Sequence, residues 1–489
     1  MKYFSTRGGS PAVSSARAIV EGLAPDGGLY VMAPDAIPQL DINELSLLDY
    51  CCLAGRIVSA LLPDFSEAEA LDLVKKAYTG KFSSPLLAPV FDTGSDMFLE
   101  LFSGPTSAFK DMALCLLPYL MKASAEKCGS TDDILILTAT SGDTGKAAME
   151  GFCDVPGIRI IVFYPDAGVS AVQQQQMVSQ TGKNVKVCAV SGNFDDAQSG
   201  VKRIFESAPA CPGTSLSSAN SINIGRLVPQ VVYYFSAYFA AVKYGRIRMG
   251  DKLNFSVPTG NFGDILAGYI AGEMGLPVGK LICASNKNNV LTDFINTGLY
   301  DRRREFYKTT SPSMDILISS NLERLLYLIS GDSALVSSLM AQLKTEGYYQ
   351  LPPELLEKVQ ARFAAFCCDD EGTAAAIKTV WENQHYLCDT HTAVGWQAAQ
   401  DYGKANGPCV ILSTASPYKF PAAVLSALEI PCGDDEFEMM ELLEKESLVP
   451  MPENLRGLRE RPRLHDDLVA PEEMYDYVLA RMNEKVWHK

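Results

Sequence analysis

One lysine, Lys110, stands in an otherwise apolar stretch, LFSGPTSAFKDMALCLLPYLM, which predicts the start of a buried helix. The only other charge between Glu100 and Lys122 is Asp111. Burial and the positive end of a helix dipole both disfavour the ammonium form of a lysine in the first helical turn. Lys110 is therefore a candidate nucleophilic amine, and the alternative is a surface lysine whose stem covers apolar neighbours.

The loop TGNFGD, residues 259–264, precedes a run of small and apolar residues typical of a helix. Backbone N–H groups at such a helix start bind phosphate, and glycines let the anion approach closely. The N–H groups concerned belong to Gly260, Asn261, Phe262, Gly263 and Asp264. The alternative is a tight turn in which Asp264 caps the helix, and the sequence favours neither interpretation.

A second loop, TATSGDTGKAA at residues 138–148, resembles a nucleotide-binding P-loop but lacks two of its required residues. Position 140 holds Thr140 instead of glycine, and position 147 holds Ala147 instead of a hydroxyl residue. What remains is a polar loop that could bind a carboxylate, formed by Ser141, Gly142, Asp143 and Thr144. An ordinary helix start capped by Asp143 is an equally good interpretation.

The stretch SANSINIGR, residues 218–226, places Ser221, Asn223 and Arg226 at the head of a long apolar helix. Arg226 is the only charged residue between Glu206 and Lys243. An arginine isolated in this way either binds an anion or forms a structural salt bridge, and both remain open.

Serine nucleophiles are poorly supported. Ser107 and Lys110 form the S-x-x-K pattern of penicillin-recognising enzymes, but the S-D-N and K-T-G motifs of that class are missing. A Ser-His-Asp hydrolase is also disfavoured, because the chain has four histidines and no G-x-S-x-G elbow.

Four apolar segments, MFLELF, ILILT, LNFSVP and CVILST, each lead into one of the polar loops and predict parallel strands of an α/β fold. Ligands bind at the carboxyl ends of such strands. Helical patterns predict an N-terminal cap over residues 1–85, a helical insertion over about 300–385 and a C-terminal helical extension over 436–489.

Composition limits the class of partner. The 489 residues carry a net charge of −16 without a basic stripe, which disfavours nucleic acid and anionic membranes and favours a small metabolite. Thirteen cysteines without a CxxC pair fit neither a disulfide framework nor a zinc site, so no metal is predicted. The N-terminus lacks an apolar signal segment, and a reducing cytoplasm is expected. Residues 227–245 predict a buried helix rather than a membrane span.

An imine-forming lysine and a separate phosphate cradle are the two elements that an enzyme using pyridoxal 5′-phosphate (PLP) needs. Several motifs, in chain order, resemble the bacterial and fungal type of threonine synthase, within the tryptophan-synthase-β-like, fold type II PLP enzymes. These motifs are YFSTRGG, GLAPDGGLYV, GPTSAFKDMAL, TATSGDTGKAA, SANSINIGR, VPTGNFGD, SPSMDILISSNLERL and LSTASPYKF. The resemblance implies two doubly wound parallel-sheet lobes within a catalytic region at 86–435, with a smaller mobile lobe at about 95–215.

The resemblance also implies roles for individual residues. Lys110 matches the Schiff-base lysine, and Thr414 matches the hydroxyl that bonds the pyridine nitrogen. The phosphate loop matches Gly260 to Asp264, and Asp143 stands where many relatives have asparagine beside the phenolic oxygen. Ser141 and Thr144 match a loop for the substrate carboxylate, and Ser221, Asn223 and Arg226 match residues that contact the substrate phosphate. Many relatives have TAHP where this chain has TASP at 414–417, and His391 receives no role.

The implied reaction is the conversion of O-phospho-L-homoserine and water to L-threonine and phosphate, the last step of threonine biosynthesis, by a PLP-dependent carbon–oxygen lyase acting on a phosphate ester. The expected form is a monomer or homodimer. One alternative is a dehydratase or phospholyase that releases a 2-keto acid on the same scaffold. Another is a non-catalytic homologue that binds PLP or metabolites, against which the intact Lys110 argues.

Overall fold

The computed structural model describes every residue except 141, 168, 208–210, 483, 485, 486, 488 and 489. The strands, in chain order, are β1 (Tyr3–Ser5), β2 (Tyr30–Met32), β3 (Val90–Asp92), β4 (Met97–Glu100), β5 (Asp133–Ala139), β6 (Ile158–Pro165), β7 (Val185–Val190), β8 (Thr214–Ser217), β9 (Leu253–Pro258), β10 (Val278–Ser285), β11 (Leu299–Asp301), β12 (Tyr348–Gln350), β13 (Phe363–Cys367), β14 (Cys409–Ser413) and β15 (Asp467–Val469).

The α-helices, in chain order, are α1 (Ser15–Glu21), α2 (Ile42–Leu45), α3 (Tyr50–Leu61), α4 (Glu67–Tyr78), α5 (Lys110–Leu114), α6 (Leu117–Lys127), α7 (Asp143–Phe152), α8 (Ala171–Val178), α9 (Phe194–Ser207), α10 (Ile224–Lys243), α11 (Gly263–Glu273), α12 (Val290–Thr297), α13 (Leu322–Ser330), α14 (Ser333–Thr345), α15 (Pro353–Arg362), α16 (Asp370–Gln384), α17 (Thr390–Tyr402), α18 (Pro421–Ala427), α19 (Glu436–Ser447) and α20 (Met474–Met482). Short 3₁₀ helices cover Pro34–Ala36, Pro312–Met314, Lys404–Asn406 and Pro417–Lys419.

Two sheets with parallel strands organise the fold, as predicted. The larger sheet has the order β13-β10-β9-β14-β4-β3, and only β3 runs antiparallel to its neighbour. Three of the four predicted strands lie at its centre as β4, β9 and β14, which confirms them. Because these strands are parallel, the loops that follow them emerge at one edge of the sheet.

The smaller sheet has the order β15-β7-β6-β5-β8 and is parallel throughout. Its strand β5 contains the predicted ILILT segment, and β6 is buried along its whole length. The edge strand β15 comes from the C-terminal extension, which was expected to be helical. Its three residues cover the edge of β7, whose backbone groups would otherwise lack partners on that side.

The N-terminal residues form helices α1 to α4 and the two-stranded antiparallel sheet of β1 and β2. Ser66 and Glu69 form a reciprocal capping box at the start of α4. Helix α3 buries Leu53, Ile57 and Leu61, a spacing of four residues that gives one apolar face, and the helix packs against α4 and α10. The helical pattern predicted for the N-terminal cap is therefore present.

Residues 300–385 contain helices α13 to α16, but they also supply strands β12 and β13. Strand β13 pairs in parallel with β10, with Ala365 opposite Cys283, so this region completes the larger sheet as well as adding helices. The predicted boundaries near 85, 300, 385 and 435 remain predictions.

Helix α10 is the buried helix predicted from the long apolar segment. Fifteen of its residues are buried, including Arg226, Tyr233 and Tyr234. In the described part of the chain, no helix is both long enough and apolar enough to cross a membrane.

Candidate active site

A cavity of about 370 Å³ opens at the carboxyl ends of β4, β5, β9 and β14. It brings together most of the residues singled out in the sequence: Lys110, Thr144, Ser221, Arg226, Gly260, Asn261, Phe262, Gly263, Asp264 and Thr414. Asp143 does not line the cavity, but its Oδ2 lies 3.9 Å from Lys110 Nζ, whereas Ser141 lies outside the described residues. Segments far apart in the sequence thus form one site.

Strand register places Lys110 beside Thr414. Strands β4 and β14 run in parallel with Glu100 opposite Ser413, so the loops after them leave the sheet side by side. The Phe109 N–H donates to the Thr414 carbonyl oxygen at 2.8 Å. Helix α5 begins at the next residue, which places Lys110 in its first turn as predicted.

Lys110 is largely buried, with 11% of its side chain exposed, which excludes the surface-lysine interpretation. Its Nζ lies 3.9 Å from Asp143 Oδ2 and donates to Ser313 Oγ at 3.4 Å. Burial lowers the pKa of Lys110; Asp143 opposes this effect, whereas Lys419 and Arg226 add to it. The expected bias towards the neutral amine is therefore confirmed in direction.

The loop before α11 is a cradle of unpaired backbone donors. Within the described residues, the N–H groups of residues 260–264 have no hydrogen-bond acceptor. The loop is held from the other side, because Ser319 Oγ donates to the Gly260 carbonyl and Asn321 Nδ2 to the Asn261 carbonyl. A Cβ atom on Gly260 would lie 2.6 Å from the Ser313 carbonyl oxygen, so this glycine is required by a close backbone approach.

The interpretation of Asp264 as a helix cap is wrong. Phe262 is the N-cap of α11, and Asp264 is the second residue of the helix. Asp264 Oδ1 instead accepts hydrogen bonds from the hydroxyls of Tyr233 at 2.6 Å and Tyr234 at 2.9 Å. Burial raises the pKa of Asp264 to about 6, although the two tyrosines oppose the shift. The carboxyl group beside the cradle therefore ionises less readily than an ordinary aspartate.

The cap interpretation of Asp143 is wrong as well. Asp143 is the first residue of α7, and Gly142 is the N-cap. Asp143 Oδ1 accepts from Lys419 Nζ at 2.6 Å and from Gln173 Nε2 at 3.1 Å. Burial alone would raise the pKa of Asp143, but Lys419 and Lys110 outweigh it and hold that pKa well below its usual range.

Sequence reasoning missed Lys419, although the signal that selected Lys110 applies to it. Lys419 is the only charged residue between Lys404 and Glu429. Its side chain is fully buried. An isolated charge in an apolar segment needs a partner, and here the partner comes from the other sheet.

Arg226 has no salt-bridge partner in the described part of the chain, so the structural salt-bridge interpretation is wrong. Its Nη1 donates to the Ala219 carbonyl oxygen at 2.8 Å, and its buried Nε has no acceptor. Burial lowers the pKa of Arg226 to about 10, which leaves it a cation at neutral pH. A buried cation without a counter-charge, lining a cavity, is suited to an anionic ligand.

The structure does not bring Asn223 to the cavity, contrary to the expected phosphate contact. Asn223 is the N-cap of α10: its Oδ1 accepts from the Gly225 N–H, and its Nδ2 donates to the Ile19 carbonyl. One polar atom of this side chain thus caps α10 and the other binds α1, so both are already engaged.

His391, which the sequence left without a role, lines the cavity. Its Nδ1 lies 2.6 Å from Asp389 Oδ2, and its Nε2 accepts the Ser313 N–H at 3.1 Å. These contacts fit a neutral ring with the proton on Nδ1. Ser107 is not among the lining residues; its Oγ donates to Asn454 Oδ1 at 2.9 Å, in agreement with its rejection as a nucleophile.

Comparison with known proteins gives first the class and then the family. Residues 92–414 match the family described as "Pyridoxal-phosphate dependent enzyme", so the fold and cavity are those of a PLP enzyme. Residues 2–78 match "Threonine synthase N terminus", and residues 392–478 match "Threonine synthase, C-terminal". The chain belongs to the threonine synthase family.

Individual relatives agree with this assignment. The chain is 39% identical to threonine synthase of Pseudomonas aeruginosa, over 87% of this chain and 90% of that protein. A PLP-bound threonine synthase structure from Brucella melitensis superposes with a TM-score of 0.88 at 37% identity, covering 99% of this chain and 100% of that one. Human threonine synthase-like 1 is 40% identical over 84% of this chain, which spans only 58% of that relative.

The residues of the cavity fit PLP. Lys110 offers a buried amine biased towards its neutral form, and residues 260–264 offer unpaired N–H donors at the start of a helix for a phosphate. Thr414 lines the same cavity with a hydroxyl group. The charge pattern also fits, because burial raises the pKa of Asp264, the carboxyl group in the cradle itself.

Proposed function

We propose that this protein converts O-phospho-L-homoserine and water to L-threonine and phosphate with the help of PLP. The observation that carries the proposal is Arg226, a buried cation without a carboxylate partner among the described residues, in the same cavity as Lys110. Because we assign the cofactor phosphate to the loop 260–264 and the substrate carboxylate to Thr144, Arg226 is left for a further anion, the substrate phosphate. The family membership of the chain supports the same reaction.

Lys110, the loop 260–264 and Thr414 would hold the cofactor. When bound, PLP supplies an electron sink for charge that develops at the substrate Cα. A neutral Lys110 amine can accept the Cα proton and deliver or remove a proton at Cβ, and burial favours this neutral form by lowering the pKa of Lys110. The Thr414 hydroxyl, unlike a carboxylate, does not hold a pyridine nitrogen protonated.

Arg226 and Ser221 would bind the substrate phosphate, which leaves as the Cγ–O bond breaks. Thr144, together with Ser141 outside the described residues, is the candidate for the substrate carboxylate. Asn223 is omitted from this set because it caps α10. Water adds at Cβ, so the atoms of phosphohomoserine and water are all recovered in threonine and phosphate.

The division into a cap at 1–85, a catalytic region at 86–435 with a smaller mobile lobe, and an extension at 436–489 is part of the proposal. So is a monomeric or homodimeric state. All thirteen cysteines are free thiols, which supports a reducing compartment such as the cytoplasm.

The test is an assay of purified protein loaded with PLP and given O-phospho-L-homoserine. Threonine and phosphate in equal amounts support the proposal. Phosphate with 2-oxobutyrate and ammonia would show the phospholyase reaction instead. Absence of any product from phosphorylated amino acids would favour a non-catalytic homologue. Lys110→Ala should abolish the borohydride-reducible absorption band that wild type acquires with PLP, and a band that persists would refute the role of Lys110.

A further inference from the structure

We infer that Lys419 is a positioning residue of this active site, whose ion pair with Asp143 fixes a carboxylate in front of Lys110 and ties together the loops of the two sheets. The inference rests on the proposed role of Lys110 as the reactive amine. Lys419 does not line the cavity and has no assigned role.

Lys419 ends the 3₁₀ helix Pro417–Lys419 that follows β14 of the larger sheet, whereas Asp143 opens α7 after β5 of the smaller sheet. Their Nζ–Oδ1 distance is 2.6 Å, and the exposed fractions of their side chains are 0% and 5%. The pair is thus a buried ion pair between the segments that follow strands of the two sheets. Breaking such a pair leaves a buried charge without compensation, which is strongly unfavourable.

A second contact of Lys419 reaches the loop that carries Lys110. Lys419 Nζ also donates to the Thr106 carbonyl oxygen at 3.0 Å. Thr106 in turn donates its N–H at 2.8 Å and its hydroxyl at 2.6 Å to Asp111, the residue next to Lys110. One ammonium group therefore holds both the lysine loop and the carboxylate that faces the lysine.

The two oxygens of Asp143 have separate tasks. Oδ1 is occupied by Lys419 and by Gln173 of α8, and Oδ2 faces Lys110 Nζ at 3.9 Å. An amide at this position would need no counter-charge, whereas a buried carboxylate does. Lys419 supplies the counter-charge that allows a carboxylate to stand at this position.

The charge on Lys110 depends on this arrangement. The charged or titratable groups around Lys110 are Asp111, Asp143, Arg226, Asp264, His391 and Lys419. Asp111, Asp264 and His391 each have hydrogen-bond partners of their own. Without Lys419, the Asp143 carboxylate would pair with Lys110 alone and the repulsion between the two lysines would vanish. Both changes raise the pKa of Lys110.

The test measures the Lys110 amine in the protein without PLP, by reductive methylation with formaldehyde and cyanoborohydride across pH and mass spectrometry of the Lys110 peptide. Lys419→Met is expected to slow labelling about tenfold near pH 8, which corresponds to about one pH unit in the titration midpoint. Asp143→Asn should move the midpoint the other way. The double variant Asp143→Asn/Lys419→Met should lie between Asp143→Asn and wild type, because Asp143 affects the pKa of Lys110 more than Lys419 does. Lys419→Arg should stay close to wild type.

Exposed Lys76, labelled in the same digest, is the internal control. A midpoint in Lys419→Met equal to that of wild type, or a double variant that follows Lys419→Met alone, overturns the inference. If Lys419→Met does not fold, the double variant carries the test, because it contains neither buried charge, and a midpoint above that of wild type is the contrary result. The labelling measurement requires no catalytic turnover, so failure of this inference can be distinguished from failure of the proposed threonine synthase reaction.

Discussion

The starts of α7 and α11 look alike in sequence, since each follows a buried strand, contains glycines and has an aspartate in the first helical turn. Their electrostatics are opposite. Asp264 is held by two neutral tyrosine hydroxyls and its pKa is raised to about 6, whereas Asp143 is held by a lysine and its pKa is lowered. The difference comes from distant elements, α10 in one case and the segment after β14 in the other.

This contrast suits the two ends of the proposed cofactor. A cradle for a phosphate dianion is weakened by an ionised carboxylate. Burial is therefore favourable at Asp264, because it raises the pKa of that carboxyl and disfavours its charged form. A carboxylate that faces an amine has to stay ionised and oriented, and a buried lysine achieves both at Asp143. Similar local sequence therefore serves opposite electrostatic tasks.

The largest effect is expected from removing the buried ion pair between Lys419 and Asp143. Lys419→Met should lower the free energy of unfolding at pH 7 by about 3–5 kcal/mol, because it removes the buried counter-charge that is hydrogen-bonded to the Asp143 carboxylate. Chemical denaturation of the protein without PLP measures this. Lys76→Met is the matched control, since Lys76 and Asp72 also lie 2.6 Å apart but are more than half exposed. Equal losses in the two variants would contradict the importance of burial.

Asp264 and Asp143 are expected to make folding stability depend on pH with opposite signs. The folded pKa of Asp264 is about 6 and its usual value 3.8, so its stabilising contribution is present at acidic pH and is lost as pH rises from about 4 to 6. The unfolding free energy of wild type relative to Asp264→Asn should fall by roughly 2–3 kcal/mol across that range. Relative to Asp143→Asn it should instead be lost as pH falls below about 4, because the folded pKa of Asp143 is lowered. Parallel pH profiles for the two variants would refute the contrast.

The sequence predicted the elements that local pattern determines. Strand ends, the apolar environment of Lys110 and the isolation of Arg226 are all visible in short windows of residues, and the structure confirms each. Partners that come from distant segments are not visible in this way. The sequence offered a helix-cap interpretation for both Asp264 and Asp143. Only the fold shows that the side chain of Asp264 binds Tyr233 and that the side chain of Asp143 binds Lys419.

Two other differences have local causes. Asn223 was assigned to the substrate phosphate through the family resemblance, but its position directly before α10 makes it a helix cap. Strand β15 was missed because it has only three residues, and its β structure depends on the free edge of β7 rather than on its own pattern.

The backbone of the cradle can be tested with a smaller change. Gly260→Ala should weaken PLP binding by about 10- to 100-fold, since its Cβ would press on the Ser313 carbonyl and displace the N–H donors. Fluorescence titration of the protein with PLP measures the affinity. Gly433→Ala, where the added Cβ has no neighbour within 4 Å, is the control. Unchanged affinity in Gly260→Ala would show that the loop does not hold the phosphate.

The finest distinction lies in the hydrogen bonds that each aspartate receives from uncharged groups. Tyr233→Phe and Gln173→Ala each remove one donor and leave another in place, so each should lower the unfolding free energy by about 1 kcal/mol at neutral pH. Their pH profiles should differ. Loss of the Tyr233 hydroxyl raises the pKa of Asp264 further and extends its pH-dependent range above 6, because that hydroxyl opposes the effect of burial. Loss of Gln173 should leave the profile flat above pH 5, since Lys419 still holds Asp143 ionised. A shifted profile in Gln173→Ala would mean that hydrogen bonds, rather than the buried lysine, set the charge at the start of α7.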